Sequence, residues 1–228
     1  MTRVESRPLS RSKAPNFGVL LVVLCLLIVL APLATAAGSA LLVEFLFALV
    51  LLAGAYSINW QGMQRWFFLA FTALTFVARA SALLFGGSQL EIGSAAITAL
   101  WMASVVIVVV RELFRRQAVT TNTILSAIVA YLLIAVAFAA LYQILELSES
   151  GSFLGIPEAA TAHQLSNEMI YFSLVSLTTM GYGDIVPASS LARPLAALEG
   201  VFGALYLAVM IARLVGMHVA SGFDRDRP

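Results

Sequence analysis

Apolar residues in this chain gather into six long blocks separated by short polar breaks. The blocks run near Phe17–Ala37, Ala40–Ile58, Arg65–Phe85, Ile92–Arg111, Asn122–Glu146 and Leu195–His218. Each approaches the roughly 20 residues that an α-helix needs to cross a hydrocarbon core of about 30 Å. A seventh apolar stretch, near Asn167–Leu177, has about half that length and reads as re-entrant. The pattern predicts an all-α membrane protein, with six transmembrane helices and a re-entrant segment between the fifth and sixth.

The polar breaks set the orientation. The N-terminal tail carries Arg3, Arg7, Arg11 and Lys13 against Glu5. Arg65 marks the second-to-third junction, and Arg111, Arg115 and Arg116 against Glu112 mark the fourth-to-fifth. The opposite loops carry one basic residue, Arg193. The positive-inside rule then puts both termini in the cytoplasm and the loop around the half-length helix outside. That outer loop is acidic, with Glu146, Glu149, Glu158, Glu168 and Asp184. The tail, the first apolar block and Ala34-Thr35-Ala36 imitate a cleavable signal. The tail's length and the near-spanning apolar run favour a retained helix, and cleavage would leave the later orientation unchanged. About ten residues follow the last helix, so no ligand-binding module is expected there.

Composition narrows the class. Of 228 residues, 61% are hydrophobic and 11% charged, against about 25% charged in soluble domains. Mean hydropathy is +0.96. This excludes a cytosolic enzyme, a disulfide scaffold and a disordered chain. A net charge of +1 gives no field to recruit nucleic acid, and the single cysteine, Cys25, excludes an intrachain disulfide.

The chemistry lies after the half-length helix, in Thr178-Thr179-Met180-Gly181-Tyr182-Gly183-Asp184. Taken alone, a Gly-Tyr-Gly run is equally a glycine turn before a helix. Here a half-length apolar helix precedes it and a full one follows. The stretch resembles the T-x-G-Y-G-D selectivity filter of the tetrameric potassium channels, and the likeness extends through Tyr171–Leu177 and Ile185-Val186-Pro187. In such filters, backbone carbonyls from four loops replace the hydration shell of potassium. The resemblance implies that Thr179, Met180, Gly181, Tyr182 and Gly183 bind the ion. Gly181 and Gly183 supply backbone angles that a Cβ disfavours, Thr179 can add its hydroxyl, and Met180 and Tyr182 pack behind. Thr178, Tyr171 and Asp184 would support the filter, with the Tyr171 hydroxyl on Asp184; an interfacial tyrosine is the plainer reading of Tyr171. Met180 stands where the family usually has Val or Ile, and its flexibility allows looser packing.

For the half-length helix, Ser166 is the expected N-cap and Glu168 suits its positive end. Its C-terminus would favour a cation, or simply brace the filter. In the last helix, Gly203 matches a family hinge position, and close helix packing explains it equally well. Ala204, Leu207 and Ile211 share a face and are candidate cavity lining. Arg213 is expected to snorkel to the interface.

Six helices with one filter resemble the voltage-gated plan without its sensor. Ile92–Val110 holds no arginine. Glu44 and Arg79 lie about 6–9 Å below the outer surface, at similar depth and with opposite sign. They form either a structural ion pair or a weak sensor. Four such arginines moving fully would supply about 9 kcal/mol per 100 mV, far below a true sensor.

The sequence thus predicts a cytoplasmic tail (1–16), a four-helix sensor-like part without gating charges (17–116), a pore part (117–219) and a short cytoplasmic tail (220–228). The expected function is passive potassium conduction across the plasma membrane by a homotetramer, with little voltage dependence, no enzymatic step, no cofactor and no soluble regulatory domain. The lipid bilayer is the other partner. Alternatives are a weakly selective monovalent cation channel, a pore-loop transporter subunit and a non-conducting regulatory membrane protein.

Overall fold

A computed structural model describes residues 17–57, 63–115, 120–157 and 160–225. The charges of the N-terminal tail, Arg116 and Glu158 lie outside them, as do the side chains of Arg65 and Arg115. The chain is an all-α membrane protein. Among the described residues, six helices are long and apolar enough to cross a membrane: α1 (Phe17–Ala36), α2 (Ala40–Ser57), α3 (Met63–Phe85), α4 (Ser88–Arg115), α5 (Thr121–Ser148) and α7 (Ala192–Arg225). Between the last two lies α6 (Ala162–Leu177), 16 residues long, which at 1.5 Å per residue spans about 24 Å.

Helix ends follow local side-chain chemistry. Thr120 and Thr123 form a capping box at the start of α5, and Thr161 with Gln164 does the same for α6. The expected cap of α6, Ser166, is not used. The reciprocal Thr161–Gln164 bonds start the helix five residues earlier, and Ser166 is buried inside it. Glu168 consequently stands at the end of the second turn rather than in the first.

Helices that are apolar all round carry no facing signal, so contact selects the buried stripe. In α1 that stripe is Phe17, Leu20, Leu24, Leu27, Ala31 and Ala34, spaced alternately by three and four. It packs on α2, α5 and α6. Phe17 donates its backbone N–H to Asn122, and Asn167 donates to Thr35 at 2.9 Å, tying α1 to both α5 and α6. On α2, Gly54 admits the Trp101 ring of α4, where a Cβ would lie 2.6 Å from a ring carbon. The Trp101 indole N–H donates to Thr72 of α3 at 2.9 Å. Helix α4 lies along α5. One continuous apolar core therefore joins α1 through α7.

Outside the helices, β1 (Phe153–Leu154) pairs antiparallel with β2 (Val186–Pro187). Phe153, Tyr142 of α5 and Phe172 of α6 meet edge-on with ring centroids 5.1–5.3 Å apart. This aromatic cluster fixes β1, α5 and the short helix together.

Candidate functional site

Helix α6 ends in a Schellman motif. Thr178 is the C-cap, the Thr179 N–H donates to the Ser176 carbonyl, and the Met180 N–H donates to the Val175 carbonyl, both at 3.0 Å. The residue after the cap must then be left-handed, a position usually filled by glycine. Here it is Thr179, with φ 57°, the only non-glycine residue at positive φ among those described. A β-branched residue there is a genuine outlier, and such strain gathers at functional sites.

The left-handed angles then recur at every second residue. Gly181 has φ 58° and Gly183 has φ 80°, whereas Met180 and Tyr182 do not have positive φ. In an ordinary extended chain successive peptide units alternate in direction. Reversing the sign of φ at alternate residues lets neighbouring carbonyls turn toward a common side. Sequence reasoning named Thr179 and the two glycines and assigned unusual angles to the glycines alone; the left-handed angle at Thr179 is what a Schellman ending would have signalled.

The expected packing of Met180 and Tyr182 behind this segment is not found within one chain. They are 62% and 66% exposed. Thr178 turns its hydroxyl back to the Leu174 carbonyl at 2.6 Å.

Beyond the segment, Tyr171 donates its hydroxyl to the Asp184 carboxylate at 2.6 Å. That bond holds the Asp184 carboxyl below its ordinary value and pushes the Tyr171 phenol up to about 12. A second fixture escaped the sequence reading. Gly155, at φ 93°, lies so close to the Asp184 carbonyl that any Cβ would overlap it. The loop bearing Gly155 is itself held: Glu146 accepts from the backbone N–H groups of Gly151 and Phe153 at 2.8 and 2.9 Å.

The C-terminal end of α6 is braced as well. Tyr131 of α5 donates to the Leu177 carbonyl at 3.0 Å. Gly203 of α7 abuts the same carbonyl, where a Cβ would overlap it. Close packing thus has a specific partner at Gly203, and α7 runs unbroken through it. Ala204, Leu207 and Ile211 are exposed on the single chain. Arg213 does more than reach the interface. It donates to the Leu113 and Phe114 carbonyls at 3.0 and 2.8 Å, near the end of α4. Basic groups suit a helix C-terminus, where carbonyls lack intrahelical partners.

Glu44 and Arg79 meet in a bidentate pair with N···O distances of 2.7 and 2.8 Å. The guanidinium also lies over the Phe47 ring, 3.8 Å from its centroid. The pair faces a cavity of about 250 Å³ that also receives Glu91 and His163. His163 is 3.8 Å from Glu44, and burial holds its imidazole below the usual histidine range against the pull of Glu44.

A further intramembrane acid, Glu199 of α7, was overlooked in the sequence reading. An acidic residue within an apolar helix is the signal that would have found it. It is wholly buried and accepts from Tyr142 at 2.6 Å, with Ser173 on its other oxygen.

Residues 119–219 match the family described as ion channels. That stretch covers α5, α6, α7 as far as residue 219 and the segment of alternating φ, and it leaves α1 to α4 outside. The chain is also 33% identical over 92 residues to Protein LctB of Geobacillus stearothermophilus, covering 40% of this chain and 63% of that protein. It is 32% identical over 87 residues to Protein LctB of Bacillus caldotenax, covering 37% of this chain and 64% of the relative. The chain therefore spans a little under two thirds of the length of these relatives. No solved structure matches it.

Proposed function

We propose that the chain is one subunit of a homotetrameric potassium channel of the plasma membrane, conducting passively, with both termini cytoplasmic. One observation carries the reading. Left-handed φ at Thr179, Gly181 and Gly183 alternates with other angles at Met180 and Tyr182, inside the stretch that matches the ion channel family. This is the backbone that a ladder of ion-facing carbonyls requires. In this reading α6 is a re-entrant pore helix, α5 and α7 are the outer and inner helices, and the carbonyls from Thr179 to Gly183 bind potassium.

Assembly follows from stoichiometry. One chain has one such segment and cannot surround an ion. Met180, Tyr182 and the face with Ala204, Leu207 and Ile211 are exposed on one chain, which leaves them for neighbouring subunits and the central cavity. The long, flexible Met180 favours a second reading, a monovalent cation channel of weaker selectivity.

Purified protein reconstituted in a planar bilayer should show a reversal potential that follows the potassium gradient over the sodium gradient. Its mass in detergent should be that of four chains of 24.3 kDa. Gly181→Ala should abolish selective current, since a Cβ at φ 58° costs about 1–2 kcal/mol at each of four positions. A wild-type reversal potential indifferent to potassium would refute the reading. A value midway between the two gradients would select the weaker-selectivity form.

A further inference from the structure

Three buried oxygen contacts behind α6 need more protons than the hydroxyls present can supply. Tyr142 of α5 lies 2.6 Å from one carboxyl oxygen of Glu199. Ser173 of α6 is hydrogen-bonded to the other. The same Ser173 oxygen lies 2.7 Å from the Ala135 carbonyl of α5. A serine hydroxyl carries one proton and a phenol carries one. A carbonyl carries none. If Glu199 were ionised, three short O···O contacts would share two protons, and one pair of lone pairs would face each other unbridged.

A proton on Glu199 resolves all three. Tyr142 donates to one carboxyl oxygen, the carboxyl O–H donates to Ser173, and Ser173 donates to the Ala135 carbonyl. Every contact then has one donor and one acceptor. The surroundings agree: Tyr142, Ser173 and Glu199 are each 0% exposed, and among the described residues no basic side chain forms an ion pair with Glu199. A buried carboxylate without a cation is costly, and the neutral acid is the usual escape.

We infer that Glu199 is a neutral carboxylic acid whose proton completes a hydrogen-bonded chain across α5, α6 and α7, making it a positioning residue for the proposed filter. The inference rests on the channel reading for its consequence and on geometry alone for the proton. Ser173 stands one turn before Leu177, and Leu177 is the carbonyl that Gly203 abuts. Helix α7 thus grips α6 twice, at Glu199 and at Gly203, four residues apart on α7. The first grip is polar and directional, and the second is steric. Together they fix the axis along which α6 delivers the chain to Thr179.

Glutamine reproduces the donor and acceptor pattern of the neutral acid: its carbonyl can accept from Tyr142 and its amide can donate to Ser173. It cannot reproduce a carboxylate, which only accepts. The test pairs infrared spectroscopy with bilayer recording on the full chain in lipid. Wild type should show the carbonyl band of a protonated carboxylic acid that is missing in Glu199→Gln. Glu199→Gln should keep its potassium-to-sodium permeability ratio within about twofold of wild type. Ser173→Ala, which removes the middle of the chain but no charge, should shift the acid band and lower that ratio about fivefold or more.

A missing acid band in folded wild type overturns the inference. So does a Glu199→Gln ratio as low as that of Ser173→Ala, or a Ser173→Ala ratio equal to wild type. Wild-type current that ignores potassium would instead refute the channel reading, and the infrared band would still report the proton.

Discussion

The two halves of this chain hold an acidic side chain among apolar helices by different means. In α1 to α4, Glu44 and Arg79 neutralise each other directly, in a fork with two bonds of 2.7 and 2.8 Å beside a cavity. In α5 to α7, Glu199 has hydroxyl partners, Tyr142 and Ser173, and no cation among the described residues. The first solution links α2 to α3, and its strength depends on both partners staying charged. The second links three helices and depends on hydroxyl geometry. The ion-channel match covers the second half alone. The difference teaches how an acid can be placed: opposite charge joins two helices in one half, whereas directional hydroxyl bonds join three helices in the half that carries the proposed filter.

The largest expected effect comes from splitting the ion pair. The pair's side chains are 11% and 17% exposed, so Arg79→Gln leaves a mostly buried carboxylate without its cation. Removing one partner of a buried pair costs about 3–5 kcal/mol. Thermal unfolding of the purified protein should show that loss, and Glu44→Gln added to Arg79→Gln should recover most of it, because two neutral amides replace two opposite charges. Wild type is expected to give a shallow conductance–voltage curve, and Arg79→Gln should leave its slope unchanged. A steep wild-type curve flattened by Arg79→Gln would show that the pair senses voltage.

The second effect probes the other half. Gly203→Ala drives a Cβ into the Leu177 carbonyl, which is backbone and cannot rotate away. Overpacking of this kind costs about 1–3 kcal/mol. Gly181→Ala meets no atom within 4 Å in the single chain, so its penalty is conformational. The comparison is sharp: Gly203→Ala should lower the unfolding temperature more than Gly181→Ala, and Gly181→Ala should harm selectivity more. Gly203→Ala with unchanged stability and altered open probability would instead favour a hinge.

How much of this was legible depends on what each feature needs. The six long helices were legible because span length and hydropathy are properties of single segments. Their facing was not, because Phe17–Ala36 is apolar on every side and Ala40–Ser57 is so apart from Glu44 and its last residues. The pairing of Glu44 with Arg79 was suggested by depth and sign. The 179–183 segment stood out through its glycines, whereas the left-handed Thr179 needed the ending of α6 to be known. Glu199 was visible as a charge in an apolar run, yet its partners lie 57 and 26 residues away. The Arg213 bonds to α4 cross about 100 residues, and no local pattern announces them. Ser166 misled because a plausible cap sat close to the apolar run, while the Thr161–Gln164 box lay in polar sequence upstream.

The smallest effect concerns the C-terminal end of the 179–183 segment. The Tyr171 bond lowers the Asp184 carboxyl below its ordinary 3.8, so this contribution is full above that value and is lost as pH falls through the depressed one. The same bond raises the Tyr171 phenol from 10.0 to about 12, so its contribution is full below 10.0 and is lost as pH rises through about 12. Both partners are therefore in their bonding forms across the whole interval between those ordinary values. Titration of both sides of the bilayer from about pH 5 to pH 9 should leave this link untouched. Tyr171→Phe removes the hydroxyl and should change the duration of open events at every pH in that range by a constant factor. Its pH profile should run parallel to that of wild type. A titration in wild type near neutrality that Tyr171→Phe abolishes would show that the link itself takes up a proton there, and Asp184 would then have to sit in surroundings far less polar than this exposed loop provides.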